Sequence, residues 1–212
     1  METYETEEQQ VEALKKWWKE NGRSVIAGIV IGVGAVVGWQ GWNAYKGSIN
    51  EQAANAFAEI TVAVDSGNTE SAIKQAERLV EEYGSTSYAA FTALVRAKLA
   101  VEADDSVTAL SQLKWALEHA PDSGFAQIAR IRLARVLLAK GDLEGATALS
   151  QQGSQAFAGE YATLRGDIAV ARGDKAAARA AYQEALTYNA ADAALIQMKL
   201  DDLAPPASAE KS

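Results

Sequence analysis

The sequence predicts an all-α chain: a single N-terminal transmembrane helix, then a solenoid of helical hairpins closed by a C-terminal capping helix. Three observations carry this prediction. Residues 24–45, SVIAGIVIGVGAVVGWQGWNAY, contain no charge. Four short stretches, GNTESAI, DDSVTAL, GDLEGAT and GDKAAAR, begin at Gly67, Asp104, Gly141 and Gly173, at spacings of 37, 37 and 32 residues. No segment shows the strict apolar–polar alternation of a half-buried strand.

The leader, residues 1–23, carries six acidic side chains together with Lys15, Lys16, Lys19 and Arg23. Val11, Leu14 and Trp18 fall at helical spacing. Two readings stay open: an amphipathic turn or two on the inner membrane surface, or an unfolded approach to the span.

Residues 24–45 have the length a membrane crossing needs, about 20 apolar residues at ~1.5 Å each against a ~30 Å hydrocarbon core. Trp17 and Trp18 precede the segment; Trp39, Trp42 and Tyr45 close it. From Trp18 to Trp39 a helix rises ~31 Å, so the aromatic rings reach the two interfaces that such rings favour. A cleaved signal peptide fits poorly, because the leader is long and acidic and QGWNAYKG offers no small-residue cleavage site. Basic residues resist translocation, and four lie just before the span while only Lys46 lies just after it. The amino terminus is therefore expected in the cytoplasm and everything after Lys46 across the membrane. Gly34, Gly38 and Gly41 share one helical face, and Gly28 and Gly32 lie on an adjacent stripe with Ala35. Small residues at this spacing let a second helix approach closely, although glycine is also common in membrane helices generally.

Beyond Lys46 the period in the mid-thirties is that of stacked helical hairpins. Each turn has local chemistry to match. Glycine at 67, 141 and 173 can end a helix in the left-handed conformation. Asn68, Asp105, Asp142 and Asp174 can then accept backbone N–H groups and start the next helix. Five residues after each turn start comes alanine, at 72, 109, 146 and 178, small enough for two helices to cross closely. The expected helices cover 46–66, 69–83, 86–103, 106–119, 123–140, 143–157, 160–172 and 175–189. A ninth, 192–203, would cover the apolar flank that a terminal repeat leaves open. The last nine residues, APPASAEKS (204–212), read as a loose tail.

The stretches GDKAAARAAYQEALTYNA and ALSQLKWALEHAPD resemble the second helix of tetratricopeptide repeats. Ala178, Tyr182 and Ala185 take its small, bulky and small places, with Ala190 where proline is usual. Ala109, Leu113, Ala116 and Pro121 do the same two turns earlier in the array, there with the proline itself. The third repeat departs from this pattern, with Ser150 and Gly153 at the bulky and small places, and the first repeat is degenerate. Residues 46–203 thus resemble a tetratricopeptide-like domain.

Composition narrows the function. The chain after the leader has 16 basic and 22 acidic residues, a net charge of −6, without the basic stripe that nucleic-acid binding requires. Cysteine is absent, so no disulfide or thiol chemistry is available. The one histidine, His119, sits near an expected helix end, where capping or solvation accounts for it better than metal binding. No catalytic residue, cofactor site or metal site is expected, and no small-molecule substrate.

An anchor near the amino terminus, the flank ALKKWWKENGR, a glycine-rich span, then GDLEGA and ARGDKAAARAAYQEAL together resemble the ancillary SecYEG translocon subunit family. The resemblance covers nearly the whole chain and rests on the order and spacing of these features. It implies a single-pass inner-membrane protein with a periplasmic tetratricopeptide-like domain and no catalytic motif. It also implies partners: the SecYEG channel, the membrane-anchored periplasmic chaperone PpiD or a relative, and newly translocated client chains passed between them. A role in an envelope-stress response is a further implication, and a scaffold unconnected with secretion is the alternative. If such an array binds through its first helices, Phe57, Phe91, Leu94, Lys98, Ile131, Arg135 and Leu138 point toward the groove. Core packing is the competing fate for the apolar members. Arg130, Arg132, Arg135 and Lys140 form the densest basic cluster beyond the juxtamembrane flank.

Overall fold

A computed structural model describes residues 7–188 and 192–203. All regular structure among them is helical: nine α-helices and one short 3-10 turn, with no strand. The chain divides into two units, residues 1–51 and 52–212. Ala190 and the 204–212 tail lie outside the described residues.

Helix α1 runs from Glu7 to Asp65 without interruption. The leader from Glu7 onward is therefore helical, and the span and the first helix of the array, expected as separate elements, share one helix. The leader's Glu, Gln, Ala, Leu and Lys all have good helix propensity, and extending a formed helix avoids a new nucleation. Within the first unit, none of the apolar window is buried. The Trp17 and Trp18 rings lie 6.4 Å apart at one end, and the Trp42 and Tyr45 rings 6.2 Å apart at the other. Lys46 Nζ stands 5.4 Å above the Trp42 ring. Gly28, Gly32, Gly34, Gly38 and Gly41 have open space where a Cβ would stand.

The second unit is the helical array. Its helices after α1 are α2 (Thr69–Tyr83), α3 (Ser87–Glu102), α4 (Ser106–Glu118), α5 (Ser123–Ala139), α6 (Leu143–Ser150), α7 (Ala158–Ala171), α8 (Lys175–Thr187) and α9 (Ala193–Asp202). From α2 to α9 consecutive helices pack on one another, and α5 also packs on α7.

Four turns repeat one hydrogen-bonded pattern. Gly67, Gly141 and Gly173 have φ of 74°, 80° and 79°, and Asp104 takes the same left-handed place at φ 56°. The next residue in each turn, Asn68, Asp105, Asp142 or Asp174, donates its N–H back to the carbonyl of Ala63, Ala100, Leu137 or Ala169, at 2.8–2.9 Å. That six-to-one bond satisfies a helix-end carbonyl. The same residue's side chain then accepts from the N–H of Ser71, Thr108, Gly145 or Ala177 and starts the following helix. One residue thus closes one helix and opens the next.

The crossing alanines Ala72, Ala109, Ala146 and Ala178 are all fully buried. In the second and fourth repeats the bulky place holds Leu113 and Tyr182, each followed by a buried alanine, Ala116 and Ala185. The first repeat exchanges the sizes, with Ala76 at the bulky place and Leu79 at the small one, both buried. That exchange accounts for its degenerate appearance. In the third repeat the helix expected over 143–157 stops at Ser150, and a 3-10 turn at Gln155–Phe157 leads into α7. Buried Tyr161 of α7 packs in one cluster with Ile131, Ala134 and Ala146, supplying bulk that Ser150 lacks. A Cβ on Gly153 would meet the Tyr161 ring at 2.6 Å, so only glycine admits it.

Candidate binding groove on the first helices

The groove begins on α3. Tyr88, Phe91, Leu94, Lys98 and Val101 recur every three or four residues and so share one face. At the N-terminal end of that face the aromatic rings form a ladder. Phe57 lies 5.9 Å from Tyr88 and 6.1 Å from Phe91, and Phe91 lies 5.4 Å from Phe125 of α5. Edge-to-face and tilted rings at these separations attract beyond their buried area. Phe57, Tyr88 and Phe91 remain partly exposed while Phe125 is buried.

Further along the face is a cavity of about 360 Å³ between α3, α4 and α5. Its apolar wall is Leu94, Ala97 and Val101 of α3 with Leu113 of α4 and Val136 of α5. Lys98 and Glu102 stand on one side, 3.7 Å apart as an exposed ion pair. Arg132 and Arg135 stand on the other. Both are exposed, and neither has an ion-pair or hydrogen-bond partner among the described residues. The cavity is open rather than enclosed.

Arg135 also borders a second cavity, of about 270 Å³, between α5, α7 and α9. Its character is different. Glu160, Asp167 and Asp192 give it an acidic wall, with Thr163, Leu195 and Lys199 beside them. Asp167 is already engaged, accepting from the Tyr182 hydroxyl at 2.7 Å and from Lys199 Nζ at 2.6 Å. This pairing ties α7, α8 and α9 together, and Lys199 lies 5.7 Å from the Tyr182 ring centre. Burial first, then the hydrogen bond to Asp167 and its negative charge, hold the Tyr182 phenol above its ordinary ionisation range.

The residues expected at the groove therefore separate. Lys98 and Arg135 line the first cavity with Leu94, which is itself buried in the core cluster of α3, α4 and α5 and only edges the cavity. Phe57 and Phe91 belong to the aromatic ladder on the same run of helices. Ile131 is buried among Ala134, Tyr161 and Leu164, and Leu138 packs against that cluster, so both serve the core. Arg132 joins Arg135 at the cavity, whereas Arg130 and Lys140 do not line it. Tyr88, Val101, Val136 and Arg132 also belong to this run of helices, and the i, i+4, i+7 spacing from Leu94 through Lys98 could have pointed to Val101. His119 is the C-cap of α4, its ring stacked 4.0 Å from Trp115 and its Nδ1 2.9 Å from the Trp115 carbonyl oxygen. Among the described residues no His, Asp and Glu cluster can hold a metal ion.

Residues 15–205 match the tetratricopeptide repeat-like domain family. Curated relatives align with the chain nearly end to end. An ancillary SecYEG translocon subunit of Haemophilus influenzae is 35% identical over 201 residues, 93% of this chain and 97% of the relative. The protein of the same description in Escherichia coli is 32% identical over 206 residues, covering 96% and 99%. That of Neisseria gonorrhoeae is 28% identical over 205 residues, covering 93% and 97%.

Proposed function

The chain belongs to the family of ancillary SecYEG translocon subunits, and from that membership we propose that it is a non-enzymatic accessory subunit of the translocon. Residues 24–45 anchor it in the inner membrane, with the amino terminus cytoplasmic and the helical array periplasmic. The array binds a PpiD-like periplasmic chaperone and helps transfer newly translocated chains to it. The observation that carries the reading is the alignment of span and array together with relatives so described, over more than nine-tenths of the chain.

Chemistry supports each part. Among the described residues nothing buries the apolar window, and lipid or another membrane helix is the covering that suits it. Gly28, Gly32, Gly34, Gly38 and Gly41 leave open space along that window for a helix of the channel to lie close. Partly exposed rings and an apolar cavity on the array suit side chains of an extended or helical partner segment.

Photocrosslinking in intact cells tests the proposal. Probes at Gly34 and Gly38 should capture channel subunits, and probes at Phe91 and Arg135 should capture the chaperone or nascent chains. Replacing residues 24–45 with an unrelated anchor should abolish channel capture; retention of capture would refute a role for the span. Capture from the array of envelope proteins alone, with no translocon component from either region, would make the protein a scaffold unrelated to secretion.

A further inference from the structure

The two cavities differ in charge and meet at one residue. The first joins an apolar wall to Arg132 and Arg135, two exposed guanidinium groups with no partner among the described residues. The second sets Glu160 and Asp192 at the far side of Arg135. An arginine fork is built for bidentate recognition of a carboxylate, and its planar group loses little freedom per hydrogen bond formed. Most other basic side chains of the array are engaged. Arg96, Arg165 and Lys199 pair with Glu77, Glu184 and Asp167, and Arg172 donates to Thr147. In a chain with a formal net charge of −8, two adjacent free arginines beside an apolar wall are a local reversal of sign.

We propose that the groove selects an extended partner segment with a fixed charge pattern: an aliphatic side chain over Leu94 and Val101, a neighbouring carboxylate on Arg132 and Arg135, and a basic side chain at Glu160 and Asp192. The occupant is a polypeptide. Packed helices lie ~8–10 Å apart, so the path from α3 across α5 to α7 is roughly 20 Å. Extended chain rises ~3.3 Å per residue, and about six residues cover it. A strand's side chains alternate in direction and residues two apart line one face, so the carboxylate belongs to a residue two places from the aliphatic anchor. This inference rests on the proposed partner binding and specifies the chemistry of the partner.

The test is selection of a random octapeptide display library on the full chain held in lipid nanodiscs. Peptides with an acid two places from Leu, Ile or Val, and a Lys or Arg toward the other end, should be enriched. A synthetic peptide of that pattern should bind about tenfold more weakly to Arg132→Glu or Arg135→Glu, a loss of the size expected for one charge-assisted bond. Both positions are exposed, so the variants should keep the parent's helical circular dichroism. Glu160→Lys should instead shift the selected basic position toward acid. Enrichment indifferent to charge, no enrichment, or equal binding to the Arg135→Glu chain would each overturn the inference. In-cell capture of a chaperone at Arg135 through a segment lacking the pattern would overturn it as well, yet leave the proposed function standing. Absence of any in-cell capture at the array would remove the proposed function while the peptide result stood on its own.

Discussion

Gly166 offers the sharpest test of how the last repeat is packed. It lies inside α7, where a Cβ would stand 2.9 Å from Cζ of Tyr182 and closer still to Cε1 and Cδ1. The ring has nowhere to go: Tyr182 is 2% exposed, and its hydroxyl is held by Asp167. Gly166→Ala therefore sets two effects against each other. Alanine in a helix interior gains up to about 1 kcal/mol over glycine, while forcing one more carbon into a filled core costs about 1–3 kcal/mol. The net effect is a loss of roughly 0–3 kcal/mol, too broad to decide anything alone. Pairing the change with Tyr182→Ala separates the two. Without the ring, Gly166→Ala should stabilise by up to ~1 kcal/mol, so the coupling between the sites should be about 1–3 kcal/mol. Native-state hydrogen exchange of the full chain in detergent, followed on α7 and α8 amides, reads this locally, with tenfold in exchange rate for each ~1.4 kcal/mol. A coupling below about 0.5 kcal/mol would refute the close approach of Gly166 to the ring.

The turns give three further predictions. Asp104→Gly should stabilise the array by about 1 kcal/mol, because glycine has no Cβ penalty in the left-handed region; Gly141→Ala should destabilise by a similar amount. Thermal unfolding followed by circular dichroism checks both, and equal midpoints for parent and variants would count against the shared turn geometry. Asp122→Ala removes the acceptor for the Phe125 N–H at 2.8 Å and should cost about 1 kcal/mol, with the loss concentrated in α5 protection. For Asp105, hydrogen bonds from Thr108 hold the carboxyl below its ordinary value of 3.8. Its contribution is present above that value and lost as pH falls through the lower folded pKa, so Asp105→Asn should flatten the acid limb of the stability curve. For Tyr182 the sign is opposite. Its folded pKa lies above the ordinary 10.0, so its contribution is complete below pH 10 and lost as pH rises further. Tyrosinate absorbance should show one late-titrating residue that disappears in Tyr182→Phe.

Much of the fold was legible because it is written in short-range chemistry. The left-handed glycines, the capping Asn68, Asp105, Asp142 and Asp174, and the fully buried Ala72, Ala109, Ala146 and Ala178 each act within a few residues of their own turn. Asp104 was visible as a member of the series but not as the residue that takes φ 56°, since acidic residues reach that region only where the surrounding turn holds them. The end of α6 was not legible. What stops it at Ser150 is Tyr161 of the following helix, occupying space that Gly153 leaves open. The candidate groove was legible in part. Spacing placed Leu94 and Lys98 on one face of α3, and charge marked Arg135. Nothing in spacing distinguishes Leu94, which edges the cavity, from Ile131, which does not, because both are buried apolar residues on first helices of their pairs.

The sequence by itself determined the uncharged span with its aromatic ends, the all-helical class and the place of every repeat turn. These depend on the length of an apolar run, on backbone conformational preference and on caps bonded to their own next residues. Only the tertiary structure decided that Arg132 joins Arg135 at an apolar cavity while Arg130 does not, and that Tyr182, Asp167 and Lys199 lock three helices together. Those arrangements bring together residues from different helices, and side-chain proximity across helices depends on how each pair crosses and packs.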